Sequence, residues 1–255
     1  MGRPGWGRMR RICALAIVVA AGPASSAGAG ETNVAVAANF AGAAKEIAGA
    51  FERATGHRAV LSSGSTGQLF AQITQDAPYQ VFLAADQDGP DGLVERGLTA
   101  PGSPFTYAIG RLVLYSRDPE LVNGEDTLRK GSFSRLAIAN PTTAPYGAAA
   151  VDALEALGLY AELEAKLVRG NNVAQTYQFV YTESAELGFV ALSQVVTQTQ
   201  GSRWLVPAEL HRPIRQDAVL LAKGAEAEAA RAFVAFLRNP DARRIIARFG
   251  YGPGE

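Results

Sequence analysis

The residues with the most chemical promise lie in short polar runs that end an apolar segment and open an amphipathic one. Ser62-Ser63-Gly64-Ser65-Thr66-Gly67 packs hydroxyls and glycines into one such run. The first N–H groups of a helix have no partner within it and sit at the positive end of its dipole. A loop of this kind can therefore hold an anion without a lysine or arginine. Taken alone, the run reads slightly better as an ordinary capped strand-to-helix turn. Asn39 follows an apolar run and precedes a helical pattern, the place of an N-cap whose amide could also donate to a ligand. Pro141-Thr142-Thr143-Ala144-Pro145-Tyr146-Gly147 and Gly170-Asn171-Asn172-Val173 repeat the arrangement in the second half of the chain. Two helix starts from each half, facing one cleft, would converge on a ligand, because open α/β sheets bind ligands beyond the carboxyl ends of their strands.

Other chemistries find less support. His57 and His211 are the two histidines; each stands at a turn, has no partner at zinc spacing, and reads as a solvated loop residue. The hydroxyl run could suggest a serine hydrolase using Ser65 or Thr66. No Gly-x-Ser-x-Gly elbow is present, and a triad would have to recruit one of the turn histidines. Neither nucleotide-binding glycine motif occurs. Asp76, Asp86 and Asp88 are expected in caps and turns, and Tyr177, Phe179 and Tyr181 as core packing on one helix.

The elements that must position these runs follow from periodicity. Asn33–Ala38, Arg58–Leu61 and Val81–Ala84 read as strands. A helix carries Ala44, Ile47, Phe51 and Ala54 at helical spacing before Gly56, and another covers Gln68–Gln75. A long β-rich stretch, Tyr107–Ser116, opens a second series. It continues with a strand at Leu136–Ala139, helices at Gly147–Leu157 and Val173–Tyr181, and strands at Leu187–Leu192 and Asp217–Leu221. Helices at Ala225–Leu237 and Asp241–Phe249 close the chain. The alternation predicts an α/β protein of two doubly wound lobes with a ligand cleft between them. The chain is expected to cross near Thr106–Leu112 and return near Pro213–Asp217. The first lobe would then comprise residues 30–108 and 214–255, the second 109–213.

The 255 residues are 48% hydrophobic and 19% charged, the profile of a globular chain and not of a disordered or fibrous one. The formal charge of zero hides an asymmetry. Arg3, Arg8, Arg10 and Arg11 precede every acidic residue, and the chain from Glu31 onward carries −4. Such a body offers nothing to a phosphate backbone, so nucleic-acid binding is not expected. The Arg-rich start, the apolar run Ile12–Ala21 and the small residues that follow read as a secretory signal peptide over residues 1–29. Cys13, the sole cysteine, would leave with it.

The sequence resembles the molybdate-binding proteins of bacterial ABC importers, two-lobed periplasmic binding proteins of the second structural type. The carrying segments are Ala35-Val36-Ala37-Ala38-Asn39-Phe40, Ser63–Leu69, Asp76–Gln87, Asn140–Gly147, Leu187-Gly188-Phe189-Val190 and Phe249-Gly250-Tyr251. The resemblance implies a periplasmic monomer that is not an enzyme and uses no cofactor. It would bind molybdate or tungstate, with molybdenum held only as the oxyanion, and deliver it to an ABC permease. Sulfate, phosphate or an iron chelate are the alternative ligands. The implied contacts are Asn39, the backbone of Ala38, the Ser65-Thr66 pair with Thr66 as principal contact, and the N–H groups of Tyr146 and Val173. With only its N–H engaged, Tyr146→Phe is expected to change little. Many relatives have a tyrosine hydroxyl where this chain has Ala191; the Asn39 amide is the expected replacement.

Overall fold

The computed structural model describes residues 1–2 and 29–254, so the expected signal peptide lies almost entirely outside the described residues. The first part of the chain alternates β1 (Glu31–Ala37), α1 (Ala41–Thr55), β2 (Arg58–Gly64), α2 (Thr66–Thr74), β3 (Val81–Leu83), α3 (Asp88–Glu95) and β4 (Phe105–Gly110). A short 3-10 turn, Ala38–Phe40, joins β1 to α1. Next come β5 (Leu112–Ser116), α4 (Asp126–Lys130), β6 (Leu136–Ala139), α5 (Pro145–Ala156), α6 (Tyr160–Leu163), β7 (Leu167–Gly170), α7 (Val173–Tyr181), β8 (Leu187–Ala191), α8 (Leu192–Val195) and β9 (Ser202–Leu205). The chain ends with β10 (Ile214–Leu220), α9 (Glu228–Leu237), α10 (Pro240–Arg248) and β11 (Gly252–Pro253).

Two sheets result, in the orders β11-β4-β10-β3-β1-β2 and β7-β6-β8-β5-β9. The strands joined by crossover helices are parallel, and the antiparallel pairs involve β5, β9, β10 and β11, close to where the chain changes sheet or ends. Both faces of each sheet are covered, and the side-chain period of two assigns residues to them. Val34 and Val36 face α1 and α9, while Ala35 and Phe82 face α2 and α3. Leu112 and Leu114 face α5, while Val113 and Tyr115 face α7. The C-terminal helices return to the first sheet, where Phe233 and Phe236 meet the Phe51 ring at centroid distances of 5.2 and 5.7 Å.

The β-rich stretch Tyr107–Ser116 comprises two strands, since Arg111 divides β4 in the first sheet from β5 in the second. Three expectations need correcting. His57 is not solvated: it is buried, and its Nδ1 accepts the Gly30 N–H at 3.0 Å, fixing the entry to β1. Tyr181 is not a core residue: it is exposed, and the Arg117 guanidinium sits over its ring, whereas Tyr177 and Phe179 are half-buried against the core and Tyr177 stacks on buried Tyr115. Asn39 caps no helix with its side chain; it lies inside the 3-10 turn. The short elements α3, β7 and β9 are absent from the periodic pattern, being polar or only half-buried.

Gly110, just before the crossing, lets two later elements meet. A Cβ there would collide with the Tyr146 phenol oxygen and stand 2.7 Å from Gln216 Nε2. Gly110→Ala should therefore cost about 1–3 kcal/mol of unfolding free energy by overpacking, measured by urea denaturation. An unchanged midpoint would show that the crossing tolerates a side chain.

Candidate functional site

Four helix starts converge between the two sheets. Ala38 and Asn39 begin the turn after β1, Ser65 and Thr66 begin α2, Pro145 and Tyr146 begin α5, and Val173 begins α7; all of them line one small cavity. It encloses about 200 Å³, counting the space open to solvent, and no charged side chain lines it. The local sequence explains each donor. Pro145 has no N–H, and Gly147 N–H already donates to Ala144 O at 2.8 Å, so in the first turn of α5 the Tyr146 N–H is left for a ligand. Asn172 caps α7 by accepting the Gln175 N–H at 3.0 Å, and the Thr176 N–H goes to Asn172 O, which leaves Val173 N–H forward of the cap. Gln194 steadies this corner, accepting from Ala191 N and donating to Val173 O at 3.1 Å.

The hydroxyl pair is divided in a way the sequence does not reveal. Thr66 Oγ1 accepts the Ala85 N–H at 3.0 Å and ties α2 to the end of β3. Ser65 occupies the N-cap of α2, yet its side chain caps nothing; its Oγ is buried and has no hydrogen-bond partner. Thr32 and Thr143 also carry such an atom, but of the three only Ser65 lines the small cavity. Gly67 N–H crosses to the other lobe and donates to Thr143 O at 2.9 Å. The absence of a side chain on Gly67 permits this approach, since a Cβ would lie 3.1 Å from Thr143 Cα.

Behind the cavity lies a buried polar cluster. Both hydrogens of the Asn39 amide are engaged, Nδ2 donating to Gln216 Oε1 at 2.9 Å and to Tyr251 Oη at 3.1 Å. Asn39 O accepts from Tyr251 Oη and, across the cleft, from Ser193 Oγ, each at 2.8 Å. The Tyr146 phenol accepts from the Arg111 N–H and from Gln216 Nε2. Tyr107 Oη shares its one hydrogen between two acceptors, Ala84 O and Gln216 Oε1, both 3.0 Å away. Burial pushes the Tyr107, Tyr146 and Tyr251 phenols up from their ordinary pKa, so all three stay protonated. Tyr146 is thus held behind the cavity through its phenol. Tyr107, Gln216 and Tyr251 were given no role from sequence. Their signal is a polar group inside an apolar strand or terminus, which must find partners when buried.

A wider opening adjoins the cavity, several-fold larger at about 990 Å³ and sharing Ala85, Ala144 and Pro145 with it. Asp86, Asp88 and Asp152 line it along with Arg212 and Arg215, and Arg212 Nε is 3.0 Å from Asp152 Oδ2. Three carboxylates make it a poor seat for an anion despite its size. The small cavity, where helix starts converge and no carboxylate lines the wall, is the better candidate. The histidines line neither space, and no group of metal-ligating side chains occurs among the described residues.

A family model described as a bacterial extracellular solute-binding protein matches residues 32–252. The chain is 48% identical to the molybdate-binding protein ModA of Rhodobacter capsulatus over 94% of this chain and 96% of that one. It is 51% identical to ModA of Azotobacter vinelandii over 92% and 96%. The solved periplasmic molybdate-binding protein of Azotobacter vinelandii superposes with a TM-score of 0.84 at 41% identity, covering 87% of this chain and 98% of that one.

Asp86 gives the site a pH signature. Burial raises its carboxyl from 3.8 to about 6; the Gly89 N–H opposes the shift and Asp88, Asp217 and Asp91 add to it. With the folded pKa above the unfolded one, the folded state holds the extra proton between about pH 4 and 6. Stability is therefore greatest on the acid side and is lost as pH rises through that window. Asp86→Asn, which keeps an acceptor for Gly89, should raise unfolding free energy by on the order of 1–3 kcal/mol at pH 7.5 and change little near pH 4. Urea titrations at the two pH values test this; an equal effect at both would contradict it.

Proposed function

The chain belongs to the family of bacterial extracellular solute-binding proteins, and from that premise we propose that it captures molybdate in the small cavity between its lobes. The observation that carries this reading is Ser65 Oγ, a buried donor without a partner among four helix starts. A dianion removed from water needs a donor for every lone pair it had satisfied there. Hydrogen bonds to a charged group contribute about 1.5–3 kcal/mol each. We assign those donors to Ser65 Oγ and the N–H groups of Ala38, Asn39, Thr66, Tyr146 and Val173. This assignment puts Ser65 first, as the hydroxyl without any partner, and keeps Thr66 as a second donor, since its Oγ1 accepts from Ala85 and leaves its own O–H free. It also replaces the Asn39 amide by its backbone N–H, because the amide is engaged with Gln216 and Tyr251.

Capture serves delivery to an ABC-type permease, and the protein is a binder and not an enzyme. In this reading it acts as a periplasmic monomer exported by its N-terminal segment. Residues 30–108 and 214–255 form one lobe and residues 109–213 the other. Tungstate, close in size and equal in charge, fits the same donors. A smaller tetrahedral ion such as sulfate would strand some of them, at about 1–3 kcal/mol per donor. Phosphate near neutral pH retains a proton that a donor lining cannot accept.

Isothermal titration tests the assignment. Wild-type protein should bind molybdate and tungstate and discriminate against sulfate. Ser65→Ala should weaken molybdate binding by about 1.5–3 kcal/mol, ten- to a hundredfold. The same change should leave the ligand-free protein as stable or more so, since it deletes an unsatisfied buried group. Thr66→Ala losing more affinity than Ser65→Ala would reverse the assignment within the pair. Gly67→Ala should weaken molybdate binding several-fold by propping the cleft at Thr143, with little change in the unfolding of the ligand-free form. Unaltered affinity there would mean that the Gly67–Thr143 contact does not accompany binding.

A further inference from the structure

Gln216 lies in β10, the strand on which the chain returns to the first sheet, at a shift in register between Gln216 and Asp217. It has no solvent-exposed surface. Its side chain joins the two halves of the cavity. Oε1 accepts from Asn39 Nδ2 at 2.9 Å, and Asn39 belongs to the helix start of the first lobe. Nε2 donates across 3.4 Å to the Tyr146 phenol, and Tyr146 belongs to the start of α5 in the second. The same phenol accepts the N–H of Arg111, the residue on which the chain first leaves the first sheet. Both crossings therefore meet one phenol whose own backbone N–H faces the cavity. Gly110 supplies the space, since any side chain there would displace both the phenol and the Gln216 amide.

We propose that Gln216 is a positioning residue for anion capture, setting the Asn39 and Tyr146 N–H groups at the separation that the closed, anion-holding form requires. The proposal rests on the reading of the cavity as the molybdate site, although Gln216 itself does not line the cavity. Its amide is suited to the task because it accepts on one side and donates on the other. A residue of the same size that only accepts would hold one half-site and release the other, and one that does neither would release both. The tie then acts mainly on retention of the anion, because the two half-sites must separate before it leaves.

The test uses the full-length exported protein with molybdate as the probe. Gln216→Leu should raise the molybdate dissociation constant by about tenfold or more, carried chiefly by a faster dissociation rate, as expected for loss of hydrogen bonds at a buried junction. Gln216→Glu supplies the readout that a merely structural role would not move. When protonated, a carboxyl reproduces the amide, accepting from Asn39 and Tyr107 and donating to Tyr146. When ionised it can only accept, and burial places its titration toward neutral pH. Affinity of Gln216→Glu should therefore approach that of wild type at pH 5.5 and fall by pH 8.5, in excess of any change in wild type, as about a unit or more of raised carboxyl pKa would give.

Equal dissociation constants and rates for wild type and Gln216→Leu would overturn the proposal. A Gln216→Glu variant whose affinity follows wild type at every pH would do so too, even if Gln216→Leu does not fold. Failure of wild-type protein itself to bind molybdate would overturn the cavity reading first, and the proposal with it.

Discussion

A doubly charged anion gives up a large hydration energy when it enters a cavity, and it is held only if each of its oxygens finds a donor fixed in advance. In the proposed reading this chain meets that demand with helix starts and hydroxyls, in a cavity whose wall carries no charged side chain. The consequences run through the whole architecture. A single helix start offers few free N–H groups, so several must converge; strands end where helices begin, so convergence requires the carboxyl edges of two sheets to face each other. The two-sheet division and the polar runs after β1, β2, β6 and β7 are what such a constraint looks like when written along a chain.

Two lobes that share an anion must also be able to separate, and the structure shows how few groups join them near the cavity. Gly67 N–H reaches Thr143 O at one side, and Ser193 Oγ reaches Asn39 O at the other. Behind the cavity, Arg111 and Gln216 carry the chain between sheets and both end on the Tyr146 phenol. A cluster so fully hydrogen-bonded is costly to leave half-made, because a stranded buried donor loses about 1–3 kcal/mol. Ser65 is the exception. Its hydroxyl has no partner, a local cost that a bound anion would offset. The wider opening differs in kind, for carboxylates and arginines line it together, with Arg212 paired to Asp152.

Much of this arrangement was legible in the sequence for identifiable reasons. Val34, Val36, Ile47 and Phe51 announce β1 and α1 because one face of each is buried, and burial imposes a period. The four helix starts were visible because glycine, proline, serine and asparagine cluster where the chain must turn. What escaped was whatever depends on contacts distant in sequence. Gln216 and Tyr107 look like interruptions of apolar strands until the strands pair and bring Asn39 and Tyr146 to them. The break at Arg111 is marked only by Gly110-Arg111 between two apolar strands, so its exact place shows only once the strands join different sheets. The bond that ties Thr66 to Ala85 was hidden for the same reason, since its partner lies nearly twenty residues away. His57 misled because a turn position suggests solvent, whereas the start of β1 covers it.

The central claim is that uncharged donors of both lobes, and no cation, hold the anion. Crystals grown with molybdate, with the heavy atom located by its anomalous scattering, test it most directly. The account predicts one dominant peak in the small cavity, with oxygens within hydrogen-bond distance of Ser65 Oγ and of the N–H groups of Asn39, Tyr146 and Val173. A dominant peak in the wider opening beside Arg212 or Arg215, with Ser65 Oγ left without a partner, would contradict it.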